Sequence, residues 1–143
     1  EYDEIMQAAA DYGLDIIQLH GDETPHLCEQ VSNELETIKT FRIDHKSETL
    51  IDYILKEYDE VCDYYLFDTG VSGKTSHDNW RQIAESSIEK PFFISGGIGP
   101  DDAKAVKSFK HPDYFGVDIN GLFDKEPGLK DMGLILKFIN SLK

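Results

Sequence analysis

Cysteine is scarce in this chain, positive charge is outnumbered, and long apolar runs are missing. Two cysteines, Cys28 and Cys62, stand far apart in 143 residues and form no CxxC pair. That excludes a disulfide framework or a zinc ribbon as the organising device, and it suits a reducing, cytoplasmic setting. Lysine and arginine number 14 against 28 aspartates and glutamates, a formal net charge of −14. Nucleic acid and anionic membrane surfaces both require clustered positive charge, so neither is expected as a partner. No stretch approaches the ~20 apolar residues that a membrane-spanning helix needs, and no basic-then-apolar leader opens the sequence. No linker, charge block or low-complexity segment divides it. What remains, 40% hydrophobic and 29% charged residues, is the balance of one cooperative, soluble globular domain.

Within that domain, short runs rich in β-branched and aromatic residues recur at regular intervals. They are Ile16–Leu19, Ile38–Ile43, Tyr64–Phe67, Phe92–Ser95 and Phe115–Ile119. Most are apolar on consecutive positions, which predicts strands covered on both faces. Segments of helical period lie between them: Leu27, Val31 and Leu35; Ile51, Ile54, Leu55 and Tyr58; Ala103, Val106 and Phe109; and Ile135, Phe138, Ile139 and Leu142. An opening helix ends at Gly13, a left-handed C-cap, while Pro25 and Pro100 stand at helix starts. Asp101 and Asp102 follow Pro100, where they favour the positive end of the helix dipole. The pattern is a helix followed by five strand–helix units, an α/β fold with a parallel sheet. Two architectures accommodate it, an open doubly wound sheet or a segment of an eight-fold β/α barrel.

In both architectures chemistry gathers at the carboxyl ends of the strands, and every predicted end here is polar. Ser95-Gly96-Gly97-Ile98-Gly99-Pro100-Asp101 lets the backbone approach a ligand closely and aims amide N–H groups at it from a helix start, as a phosphate requires. An ordinary tight turn has the same composition. Gly116-Val117-Asp118-Ile119-Asn120-Gly121 repeats the device on the next strand, and adjacent ends of this kind form the phosphate site of many barrels. Asp68, on the rim of the apolar run Tyr65-Leu66-Phe67, is placed to give a proton or to cap a loop. His20 suits a substrate contact or a bond to a neighbouring strand, and Asp118 a sugar hydroxyl or an ion pair. Cys28 and Cys62 read as buried packing. Ser72-Gly73-Lys74-Thr75 lacks the upstream glycine of a nucleotide P-loop and follows an aspartate rather than opening a helix.

Taken together, Gln18-Leu19-His20-Gly21-Asp22-Glu23, Leu66-Phe67-Asp68-Thr69, Ser95-Gly96-Gly97-Ile98, Gly116-Val117-Asp118-Ile119-Asn120 and Pro127-Gly128-Leu129-Lys130-Asp131 resemble phosphoribosylanthranilate isomerase. They stand in that family's order and span essentially the whole chain. The resemblance implies a (β/α)8 barrel family, with residues 1–143 forming a single partial-barrel domain equivalent to family strands four to eight. It implies an intramolecular aldose–ketose isomerase of tryptophan biosynthesis acting on a phosphoribosyl substrate, with no metal or organic cofactor. By similarity Asp68 is the general acid. Gly96 and Gly97 hold the phosphate together with Asn120 and Gly121, while His20 and Asp118 line the pocket. The family's basic cysteine, in a Cys-Gly context, and its carboxylate-binding arginine belong to earlier strands. Cys28, Cys62 and Arg42 do not match them. The resemblance therefore implies a carboxyl-terminal portion without the first three strands, inactive alone and prone to self-association through unpaired barrel edges. Val71 stands at an expected glycine of the loop after the acid, and Asn79 separates Asp78 from Trp80. Outside this family stand another phosphosugar barrel enzyme, such as indoleglycerol-phosphate synthase or a histidine-pathway isomerase, and a non-catalytic phosphate-ligand module.

Overall fold

The computed structural model describes the backbone of residues 1–44, 48–71, 74–75 and 77–143. The opening helix α1 (Tyr2–Tyr12) ends at Gly13, whose left-handed backbone (φ 63°, ψ 45°) turns the chain into strand β1 (Ile16–Leu19). Helix α2 (Pro25–Ser32) starts at its proline, with the Thr24 hydroxyl accepting from the Leu27 N–H at 3.3 Å. Strand β2 (Glu36–Arg42), helix α3 (Glu48–Tyr58) and strand β3 (Tyr64–Asp68) follow. A ribbon of β4 (Gly70–Val71) and β5 (Lys74–Thr75) then leads into α4 (His77–Ala84). Strand β6 (Phe92–Ser95) is joined to α5 (Ala103–Ser108) through a 3-10 turn at Pro100–Asp102. Strand β7 (Tyr114–Val117), a 3-10 turn at Gly121–Phe123, the ribbon β8 (Asp124–Glu126) with β9 (Leu129–Lys130), and α6 (Met132–Leu142) complete the chain.

The main sheet is parallel, in the order β1-β2-β3-β6-β7. Each strand lies beside the next, always on the same side of the last. Right-handed crossovers then all fall on one face of the sheet, whereas a doubly wound sheet must reverse direction once. The progression is that of barrel winding, and it removes the doubly wound alternative. β1 and β7 are the two edges.

The expectation that the strands are covered on both faces holds for β3, where Tyr65, Leu66 and Phe67 are buried in succession, but not for the strands toward the edges. Phe41, Tyr65, Phe67, Phe92 and Ile94 meet the helices: Phe41 packs edge-on against Tyr58 of α3, and Phe92 against Phe109 at the end of α5. On the other face Tyr64, Phe93 and Phe115 pack against one another, and Phe115 is 66% exposed. Toward the edge at β7, apolar residues on consecutive positions therefore mean a second face that is only partly covered among the described residues. Cys28 and Cys62 are buried, unpaired core residues, as expected. Phe123 and Phe138, with ring centroids 5.1 Å apart, dock α6 beneath the last strand end. Among the described residues no helix is long and apolar enough to cross a membrane.

Candidate active site

Parallel pairing sets the strand ends in a row. Arg42 is the register partner of Asp68, and Asp68 the partner of Ser95, so three consecutive strands present side chains at one level. Asp68 is half-buried. Its Oδ1 accepts from the Gly70 N–H at 3.0 Å, and no bond to its other oxygen occurs among the described residues. Thr69 behind it is buried and donates to the Ser95 carbonyl at 3.2 Å. The Trp80 indole N–H reaches the Thr69 hydroxyl at 2.8 Å, tying α4 to the strand that carries Asp68. Asn79 is buried and donates to the Ile43 carbonyl at 3.0 Å, so the residue inserted between Asp78 and Trp80 anchors α4 to the end of β2. Ser72, Gly73 and the side chains of Val71 and Lys74 lie outside the described residues. The Lys74 backbone is in a strand rather than at a helix start, against a P-loop.

Gly96 and Gly97 both adopt positive φ, 99° and 65°. At Gly96 a side chain is excluded twice over. The backbone disfavours it, and a Cβ would come within 2.1 Å of Asp68 Oδ1 and 2.2 Å of the Gly70 nitrogen. The turn after β6 thus packs directly on the carboxyl group at the end of β3. Asp102 closes the same turn, accepting from the Gly99 N–H at 2.7 Å. Its other oxygen lies 3.2 Å from His77 Nε2 at the start of α4. Asp102 is therefore a cap for the turn, a sharper role than the dipole partner its position suggested.

Asp118 follows β7 and accepts from the Ser95 hydroxyl at 3.0 Å, which joins the ends of β6 and β7. Asn120 precedes the Gly121–Phe123 turn, and its Oδ1 accepts from Lys130 at 2.7 Å. Lys130 also pairs with Asp124, and that bond, with a second from the Gly128 N–H, holds the Asp124 carboxyl below its usual range. Lys130 was visible in sequence only as part of a motif. The fold makes it the brace of the Asn120 side chain.

His20 and Asp68 line one cavity of about 520 Å³ at the ends of β1, β2 and β3, together with Arg42 and Tyr53. Asp118, Asn120, Gly96 and Gly97 are not in its wall; they lie at the ends of the next two strands. A larger cavity of about 700 Å³ sits against α1 and α2, but Glu1, Glu4, Asp22 and Glu23 line it, which repels an anionic ligand. Among the described residues no cluster of three or more histidine, cysteine, aspartate or glutamate side chains is placed to hold a metal ion. Lys39, which gave no signal inside an apolar strand run, is buried beside the His20 loop and bonded to Glu23 at 2.9 Å.

A model of the family described as N-(5'-phosphoribosyl)anthranilate (PRA) isomerase matches residues 1–141. The chain belongs to the phosphoribosylanthranilate isomerase family. It is 37% identical over 142 residues to the N-(5'-phosphoribosyl)anthranilate isomerase of Parabacteroides distasonis, covering 96% of this chain and 63% of that protein. For the Phocaeicola vulgatus enzyme of the same name the identity is 39% over 145 residues, covering 97% and 68%. The chain thus spans about two thirds of the length of these relatives. A solved phosphoribosyl anthranilate isomerase in complex with reduced 1-(o-carboxyphenylamino)-1-deoxyribulose 5-phosphate superposes with a TM-score of 0.72 at 23% identity, over 99% of this chain and 66% of that one. That likeness is one of fold. The parallel five-stranded sheet is accordingly of the β/α-barrel type found in this family.

Proposed function

We propose that these residues supply the acid and the phosphate cradle of an isomerase that converts N-(5-phosphoribosyl)anthranilate to 1-(2-carboxyphenylamino)-1-deoxyribulose 5-phosphate, a step of tryptophan biosynthesis. The observation that carries the reading is the contact of two strand ends. A half-buried carboxylic acid, Asp68, packs against the Gly96-Gly97 turn, whose positive φ angles suit glycine and whose lack of side chains lets the backbone approach a ligand closely. Asp68 protonates the ribose ring oxygen as the C1–O bond breaks, and the nitrogen lone pair forms the C1=N bond of a Schiff base. A base then removes the proton at C2, and the electron pair forms an enolamine. Loss of the 2-hydroxyl proton and protonation of C1 give the ketone. Gly96 and Gly97, with Asn120 and Gly121, hold the phosphate. Asp118 and His20 line the substrate pocket, His20 from the wall of the cavity that it shares with Asp68.

The reading extends to what the 143 residues do alone. They form one partial-barrel domain, family strands four to eight, with β1 and β7 as edges that barrel closure would pair. No cysteine stands at a strand end to act as the base, since Cys28 and Cys62 are in the core, and burial raises the Cys62 thiol to about 12. Nor is Arg42 the family's carboxylate-binding arginine, whose strand lies earlier. The isolated chain is therefore inactive, and its exposed edges and the face of Tyr64, Phe93 and Phe115 favour self-association.

The test is Asp68→Asn in the full-length protein. Turnover falls by about 10³-fold, within the range for loss of a general acid, while the affinity for the reduced product analogue changes less than about 3-fold. Unchanged turnover refutes the assignment. A non-catalytic phosphate-binding module would show no turnover in either form.

A further inference from the structure

A lysine inside a sheet strand is an expensive choice, because a desolvated ammonium costs several kcal/mol unless it is paired and hydrogen-bonded. Lys39 lies mid-strand in β2 with its side chain only 3% exposed. Its ammonium donates to the Gly21 carbonyl at 2.8 Å, to Glu23 Oε2 at 2.9 Å and to the Thr40 carbonyl at 3.4 Å. Glu23 closes the loop upon itself: its two carboxylate oxygens accept from the Gly21 N–H at 3.1 and 3.0 Å. From α3 the Tyr58 hydroxyl donates to the Glu23 carbonyl at 3.1 Å. The Glu23 carboxylate lies close over Gly21, where a Cβ would come within 2.9 Å of its Oε1.

The loop held in this way begins at His20, which lines the cavity with Asp68. His20 has no hydrogen bond of its own among the described residues, so its place is set by the backbone that follows it. A buried ion pair adds little net stability compared with apolar residues of the same volume; its well-attested use is to fix one geometry among several.

We infer that Lys39 is a positioning residue for the substrate cavity, its buried ammonium fixing the Gly21–Glu23 turn and through it the place of His20 relative to Asp68. The inference rests on the proposed role of His20 in the pocket of the isomerase. Lys39 shares the cavity wall with Gly21, Glu23 and His20, but its ammonium is turned to the Gly21 and Thr40 carbonyls and the Glu23 carboxylate. Its effect is transmitted through the turn and is felt in binding more than in proton transfer.

The experiment is a double-mutant cycle in the full-length protein, titrating the reduced product analogue into wild type, Lys39→Met, His20→Ala and the double variant, with kcat, KM and melting temperature measured on each. His20→Ala weakens the analogue by about 10-fold, the scale of one polar contact to a charged ligand. Lys39→Met weakens it by a similar factor and raises KM more than it lowers kcat. In the His20→Ala background Lys39→Met costs less than about 2-fold further, because the contact it positions is already gone. Glu23→Met with Lys39→Met leaves no unpaired buried charge; it folds, recovers the melting temperature and keeps the weak affinity. Should Lys39→Met alone fail to fold, this pair gives the answer. Wild-type affinity in either folded variant overturns the inference, and so do losses that multiply independently in the cycle. If His20→Ala leaves affinity unchanged, the role of His20 falls and this inference with it. The acid assignment is judged separately by Asp68→Asn.

Discussion

Phe92 and Phe93 are neighbours on β6, yet one is sealed among Phe67, Phe109, His111 and Tyr114 while the other packs against Tyr64 and Phe115 and stays half-buried. The two faces of the sheet are built from the same residue types and differ in what lies over them. On the helix side the aromatic rings interlock with α3 and the end of α5, and this is where apolar burial stabilises the fold. On the other side the rings form a floor below the strand ends that carry Arg42, Asp68 and Ser95. Apolar content alone does not tell a core from the wall of a site; the direction of winding does.

Truncating the covered face has the largest expected effect. Phe92→Ala removes a fully buried ring and lowers stability by about 3–5 kcal/mol, measured by denaturant unfolding. A loss below about 1 kcal/mol would mean that the helix side is not the core. Gly96→Ala comes next. The new Cβ meets Asp68 and Gly70, so the turn must move, and the affinity of the full-length protein for the reduced product analogue drops by at least about 10-fold. Retained affinity would separate the glycine turn from the phosphate.

A pH effect sharpens the contrast on the covered side. Burial alone would raise the Glu23 carboxyl, but bonds from Lys39 and from the Gly21 N–H outweigh it and lower its pKa from the usual 4.5. A depressed carboxyl contributes stability fully above its unfolded value, and that contribution is lost as pH falls through the folded value. Glu23→Gln therefore flattens the acid limb of the stability curve below about pH 4.5 and changes little of its shape near neutrality. An unchanged acid limb would contradict the pairing. The smallest effect belongs to the open face: Phe115→Ser in the 143-residue chain shifts stability by less than about 0.5 kcal/mol and reduces self-association in sedimentation. A loss like that of Phe92→Ala would show that something covers this surface.

Much of this was legible in the residues, for physical reasons. Ile16–Leu19 and Phe92–Ser95 form strands at the predicted bounds, because short apolar runs between turn residues have little freedom in register. β2 begins earlier than expected, at Glu36, since pairing with Ile16 draws polar residues into the strand. β7 ends at Val117 rather than Ile119, although the Asp118 N–H still bonds the Ile94 carbonyl at 2.9 Å. The β4–β5 and β8–β9 ribbons are two or three residues per strand, too short for periodicity to register. At the site, the glycine turn and Asp68 announced themselves by residue type at a strand end. Lys39 and Lys130 did not, because their roles depend on which loops the fold brings over them.

The proposed function places the open face of the sheet in an isomerase site that these residues do not complete alone. The most direct measurement is turnover of N-(5-phosphoribosyl)anthranilate by the 143-residue chain beside turnover by the full-length protein at equal concentration. The account predicts isomerisation by the full-length protein and none above the uncatalysed rate by the chain alone. Isomerisation by the chain alone, or none by the full-length protein, would contradict it.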